Sequence, residues 1–155
     1  MQRPEKLLLA GGVVTGIASL MHVAIIAGGP DWYRFFGAGE RMARLAEQGS
    51  LYPAIITAAI ATVLAVWAAY ALSGAQVIRE LPMLRCALVV IAAVYLLRGV
   101  LGIPLVLFVD DPYARQPRAK MAFMVVSSAI CLGLGACFAI GSAGVRTRRR
   151  AGCRA

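Results

Sequence analysis

Carboxylates are scarce in this sequence, which has seven Asp and Glu residues against sixteen Lys and Arg. None of the seven lies inside the long apolar runs that dominate the chain. The proton relays of pumps and transporters are built from acidic and histidine side chains within the membrane. The scarcity therefore argues against an energised transporter made from one copy of this chain.

Ligands for metals and haem are equally few. The chain has one histidine, His22, and four cysteines without a CxxC pair, and it has no HExxH or HxxxH motif. Metal sites need several such ligands at fixed spacing, so we predict no metal and no cofactor. Nucleotide-binding glycine motifs and a local Ser-His-Asp set are also lacking. An enzyme is therefore disfavoured, and a membrane enzyme using His22 and Arg98 is kept only as a third hypothesis.

Apolar residues make up 61% of the chain and charged residues 15%, whereas soluble domains have about half and a quarter. The excess lies in four runs, each about as long as a bilayer core of roughly 30 Å requires. A backbone in lipid must satisfy its own hydrogen bonds, so each run should be helical. We predict an all-α integral membrane protein, a four-helix bundle forming one domain (residues 1–145) with a basic tail (146–155). The predicted spans are 7–27, 52–72, 83–109 and 120–142.

The net charge of +9 is distributed as a topology signal, without the basic stripe interleaved with aromatics that nucleic-acid binding requires. If both termini lie on one side of the membrane, that side carries nine cations and two acids, a net charge of +7. The opposite side carries six cations and five acids, a net charge of +1. The nine are Arg3, Lys6, Arg79, Arg85, Arg146, Arg148, Arg149, Arg150 and Arg154. The positive-inside rule then predicts a multi-pass protein of the bacterial inner membrane with both termini in the cytoplasm. The basic tail is expected to contact anionic lipids.

The segment between the first two spans, residues 28–51, is predicted to contain a short amphipathic helix. Phe35, Met42 and Leu45 recur at helical spacing opposite charged residues, and Trp32 and Tyr33 are types favoured at membrane interfaces. A bend is expected at residues 37–39. Two placements remain open: a helix lying in the outer interface, and one that dips into the mouth of the bundle.

Small residues are expected where membrane helices pack closely. The fourth span has Ala129, Gly133, Cys137 and Gly141 at successive i+4 steps, and the first has Gly12 and Gly16. Packing within the bundle is favoured for these stripes. A homodimer face on the fourth span is the alternative.

Arg98 is the charged residue that lies deepest inside a predicted span, about ten residues from its external end. Such charges are costly in lipid and usually mark a functional or paired position. The predicted topology gathers further polar residues at similar depth, and we predict a ligand-binding site in the outer leaflet. Its predicted residues are Arg98, His22, Glu40, Tyr95, Thr57, Ser127 and Ser128. Glu40, presented by the external loop, is the hypothetical partner of Arg98, and an anionic ligand is the alternative partner.

Two functions follow from these patterns. The first is binding or translocation of an amphipathic or anionic small molecule or lipid around Arg98, by a carrier, a sensor or a lipid-binding protein. The second is a non-catalytic accessory subunit of a larger membrane complex, which would use its small-residue faces and its basic tail.

Overall fold

The computed structural model describes residues 2–108 and 118–152, with side chains for residues 2–102 and 123–145. It contains six helices and no strand within that part of the chain. The helices are α1 (Arg3–Gly28), α2 (Pro30–Phe35), α3 (Glu40–Glu47), α4 (Tyr52–Gly74), α5 (Leu84–Phe108) and α6 (Arg118–Gly152). The prediction of an all-α chain with four long helices and a short helical loop segment is confirmed.

The helices α1, α4, α5 and α6 are long and apolar enough to cross a membrane, so the chain is a multi-pass membrane protein. The predicted spans fall within these helices, except for Met83, which immediately precedes α5, and Val109. The segment between the third and fourth predicted spans is residues 110–119, and of it residues 110–117, together with Val109, lie outside the described residues. The helix α6 continues past its apolar part, 123–145, as far as Gly152. The first seven residues of the predicted basic tail are therefore helical, and their side chains lie outside the described residues.

Each spanning helix buries one narrow seam and exposes the rest of its surface. Between 17% and 33% of each apolar window is buried. The buried positions recur at alternating steps of about three and four residues, the spacing of helices that pack along their length. On α5 they are Leu84, Leu88, Ile91, Ala92, Tyr95, Gly99 and Gly102. Exposed valine, isoleucine and leucine cover the other faces, as expected for helices solvated by lipid tails.

Contacts divide the chain into two compact units, Gly12–Ala69 and the pair of segments Met1–Gly11 and Tyr70–Ala155. In the second of these, α5 and α6 pack antiparallel through glycines. A Cβ placed on Gly99 would lie 3.1 Å from the backbone nitrogen of Leu132, and one on Gly135 would lie 3.1 Å from that of Leu96. The two backbones approach each other closely because neither glycine has a side chain.

The small-residue stripe predicted for packing in α6 is only partly correct. Gly141 is buried against Leu8, but Ala129 and Gly133 lie outside the buried seam, and no atom lies within 4 Å of the ideal Cβ position of Gly133. The seam instead contains Ser128 and Gly135. Several faces of α6 carry small residues, and the register with α5 selects one of them.

In the Gly12–Ala69 unit, α1 and α4 are joined by a buried hydrogen bond. The Ser19 hydroxyl donates to the carbonyl oxygen of Ala61 over 2.7 Å. Nearby, the ideal Cβ position of Gly16 lies 3.9 Å from the Cβ of Ala68. A hydrogen bond between helices in a membrane typically contributes about 0.6 kcal/mol.

The loop segment of the same unit forms two helices, α2 and α3, with a turn between them. Gly37 and Gly39 have positive φ angles of 74° and 95°, which glycine adopts at no steric cost. The bend predicted at residues 37–39 is therefore confirmed. The apolar cluster beneath it consists of buried Ile25, Tyr33 and Ala43, with Phe36, Met42 and Ala46 packed against it.

Of the three residues of the predicted apolar face, only Met42 packs in this cluster. Phe35 is 78% exposed, and Phe36 packs in its place. A helical period drawn across the segment assumes one continuous helix. Because α2 ends at Phe35 and the glycine turn follows, that period does not extend from α2 into α3.

Candidate functional site

Arg98 lies on α5, fourteen residues after Leu84 and ten before Phe108. It is exposed, and its guanidinium extends towards the C-terminal end of α5. Its Nη1 atom lies 2.9 Å from the ideal Cβ position of Gly102. Gly102 is one turn further along the helix, about 6 Å at 1.5 Å per residue. The guanidinium therefore extends along the helix past Gly102, which has no side chain to obstruct it.

Ser128, on α6, reaches the same place from the other helix. It is fully buried, and its Oγ approaches the ideal Cβ position of Gly102 even more closely than the guanidinium does. No described residue forms a hydrogen bond with this hydroxyl. A buried polar group without a partner costs about 1–3 kcal/mol. The site therefore contains a cation and an unsatisfied hydroxyl at one point of the α5–α6 contact.

The ion pairs that the described side chains form within α2 and α3 do not include Arg98. On α5, Val94 and Leu101 lie about one turn to either side of Arg98 and are exposed to 42% and 51%. On one side the guanidinium is therefore next to buried Gly102 and Ser128, and on the other it is next to an exposed apolar surface.

Tyr95 and Ser127 complete the predicted site residues of this unit. The Tyr95 ring is buried against Phe138, with ring centroids 5.7 Å apart, so it belongs to the packing seam. Ser127 is half-buried beside Ser128 in sequence. The structure thus brings together Arg98 and Ser128.

His22, Thr57 and Glu40 belong to the Gly12–Ala69 unit. The Nδ1 atom of His22 lies 2.7 Å from the Ala18 carbonyl oxygen, one turn earlier in α1. A carbonyl only accepts, so Nδ1 carries the proton and donates. Thr57 is buried on α4. Their membership of one site with Arg98 stays a prediction.

Glu40 has its partners within the loop itself. Arg34 donates to both of its carboxylate oxygens, with Nε–Oε2 and Nη2–Oε1 distances of 3.1 Å. Arg44 donates to Oε1 over 3.3 Å, and Arg34 also binds Glu47 over 2.7 Å. The pairing of Glu40 with Arg98 stays a prediction. Sequence reasoning missed Arg34, which ties α2 to α3, because it lies six residues from Glu40 across a turn.

Acidification is expected to release this network only at low pH. Hydrogen bonds from Arg34, and then from Arg44, hold the pKa of the Glu40 carboxyl below its usual value. An acid whose pKa is lower in the folded protein stabilises the fold fully above its pKa in the unfolded chain, which is about 4.3 for Glu. That stabilisation is lost as the pH falls through the lower pKa of the folded state. We expect the α2–α3 contact to be unchanged between about pH 8 and 5 and to weaken only below about pH 4.

Carboxyl NMR of the isotope-labelled protein measures this titration directly. The matched variant Arg34→Gln should bring the pKa of Glu40 back towards its usual value, because the carboxylate loses its main hydrogen-bond donor. The same pKa in both proteins would show that Arg34 does not act on Glu40.

Comparison with known proteins gives no match to any family model, curated protein or solved structure. Within the described residues, no three His, Cys, Asp or Glu side chains lie close enough to hold a metal ion. Arg98 and Ser128 each offer a hydrogen-bond donor. A guanidinium and a hydroxyl both donate hydrogen bonds to an anionic oxygen.

Proposed function

We propose that this membrane protein binds the anionic group of an amphipathic molecule or lipid at Arg98, with Ser128 as a second hydrogen-bond donor. The observation that carries the proposal is the convergence of the guanidinium and the unpartnered hydroxyl on Gly102. An anionic oxygen bound to the guanidinium would neutralise the cation, and it would satisfy the hydroxyl where α5 and α6 separate enough at Gly102 to expose Ser128 Oγ.

The surroundings of Arg98 favour an amphipathic ligand over a free anion. The exposed side chains of Val94, Leu97 and Leu101 offer an apolar surface beside the guanidinium. In the bilayer this surface is solvated by lipid tails, so a ligand's hydrocarbon chain can replace a lipid tail there without any change in apolar burial. The specificity then comes from the charged group.

We further propose that the protein lies in a bacterial inner membrane with both termini in the cytoplasm. Support comes from the charge asymmetry of the connecting segments. In that orientation the C-terminal end of α5 is external, and the Arg98 site opens to the outer leaflet.

Filling the space at Gly102 tests the proposal while the charge of Arg98 is kept. A Cβ on Gly102 meets Ser128 Oγ and Arg98 Nη1, whereas one on Gly133 meets nothing within 4 Å. We expect mass spectrometry to find an anionic amphiphile co-purifying with the wild type and with Gly133→Ala, and to find much less with Gly102→Ala. Equal retention in all three proteins would overturn the assignment of this site.

A second candidate function is that of an accessory subunit. It is favoured by one observation, the small-residue face of Ala129, Gly133 and Ala136 on α6, with open space over Gly133. Such faces allow close approach of another helix. A protein partner recovered in fixed stoichiometry, and lost on Gly133→Leu, would support this function; a chain that purifies alone as a stable monomer would contradict it.

A further inference from the structure

The short helix α2 divides its side chains among three environments. Tyr33 packs in the cluster with Ile25 and Ala43. Arg34 binds the acids of α3. Trp32 and Phe35, three residues apart and so on one side of the helix, are exposed to 42% and 78%. Two large aromatic rings thus face outwards on a helix whose other sides are already occupied.

This aromatic surface continues the surface of a membrane span. One residue, Gly29, separates α1 from α2. The Trp32 ring lies directly against Gly28 at the end of α1, where a methyl group would overlap three ring carbons. At the other end of the segment, exposed Leu51 and Tyr52 lead into α4. The aromatic side chains of α2 are therefore held next to the end of a span.

The charge of the segment argues against simple electrostatic adsorption. Residues 30–46 contain three arginines and two acids, and Glu47 brings the sum to zero. Arg34 is engaged by Glu40 and Glu47, and Arg44 by Glu40. A helix that binds membranes through anionic lipids is instead rich in Lys and Arg on its polar face. Tryptophan and other aromatic side chains partition into the headgroup region without needing lipid charge.

We infer that α2 is an interfacial anchor, with Trp32 and Phe35 inserted among the headgroups of the bilayer at the C-terminal end of α1. The occupant of this surface is the lipid itself, zwitterionic or anionic. The glycine turn at 37–39 then separates the anchor from α3, whose charged face remains in water. The inference does not depend on ligand binding at Arg98.

Tryptophan fluorescence tests this placement, because the chain has two tryptophans and they lie in different elements. The variant Trp67→Phe reports on Trp32 alone, and Trp32→Phe reports on Trp67 within α4 as a deep reference. Both are reconstituted in vesicles of zwitterionic phosphatidylcholine brominated at shallow or deep chain positions. If Trp67→Phe disturbs folding, the difference between wild type and Trp32→Phe gives the Trp32 emission instead.

We expect blue-shifted Trp32 emission that shallow bromines quench more than deep ones, with the opposite preference for Trp67. Depth analysis should place Trp32 within roughly 5–10 Å of the headgroup–acyl boundary, and neither anionic lipid nor salt should change it. Water-like emission quenched by acrylamide would overturn the inference. So would blue-shifted emission that no lipid quenches, which indicates a second copy or another protein over α2. Insertion that requires anionic lipid would also overturn it.

Discussion

Valine in place of Gly135 should lower the free energy of unfolding by about 1–3 kcal/mol, the usual cost of an overpacked contact. A Cβ at this position lies 2.7 Å from the Leu96 Cγ and 3.1 Å from the Leu96 backbone nitrogen. The side chain of Leu96 can rotate away, but the backbone of α5 cannot, so the two helices must separate. Reversible unfolding in mixed detergent micelles, followed by circular dichroism, measures the change.

The matched control is Gly133→Val, the same substitution two residues earlier on the same helix. No atom lies within 4 Å of a Cβ there. We expect stability equal to or slightly above that of the wild type. If Gly133→Val were as destabilising as Gly135→Val, α6 would pack through the stripe of Ala129 and Gly133 instead, or a partner would cover that stripe.

Removal of the guanidinium should weaken ligand binding by about 10- to 100-fold. A hydrogen bond to a charged group contributes about 1.5–3 kcal/mol, and each 1.4 kcal/mol is a factor of about ten. The probes are phosphatidylglycerol and oleate, titrated against Arg98→Ala and wild-type protein in nanodiscs of zwitterionic lipid. Arg98→Lys should keep part of the affinity, because an ammonium retains the charge and loses the planar donor pair.

Arg85→Ala serves as the control, since Arg85 is an exposed cation on the same helix, thirteen residues earlier. It should leave both affinities unchanged. If Arg85→Ala and Arg98→Ala reduced binding equally, the protein would attract anions through its general positive charge, and no site at Arg98 would be needed.

The spans were predictable because a membrane imposes a simple requirement. A helix that crosses lipid needs a long apolar run, and four such runs are visible in the sequence. The loop was harder. The exchange of Phe35 for Phe36 in the apolar cluster depends on where α2 ends, and a helix of six residues has too few turns to show its own period.

The site was predictable in part for the same reason. A lone arginine in an apolar run is conspicuous, and Ser128 was among several hydroxyls at a similar predicted depth. Gly102 was not predictable, because its importance lies in the register of α5 against α6. Glycines are frequent in this chain, and only the packed structure shows that one of them lies between a guanidinium and an orphaned hydroxyl.

Solid-state NMR tests the assignment of Arg98 most directly. In membranes containing phosphatidylglycerol or ¹³C-carboxyl oleate, the guanidinium ¹⁵N resonance of Arg98, identified by its loss in Arg98→Lys, should be dephased by ligand ³¹P or ¹³C. Dephasing at this resonance, reduced in Gly102→Ala, is the predicted result. Dephasing only by a carboxylate of the protein itself, with none from either ligand, would contradict the account and make Arg98 a structural ion pair.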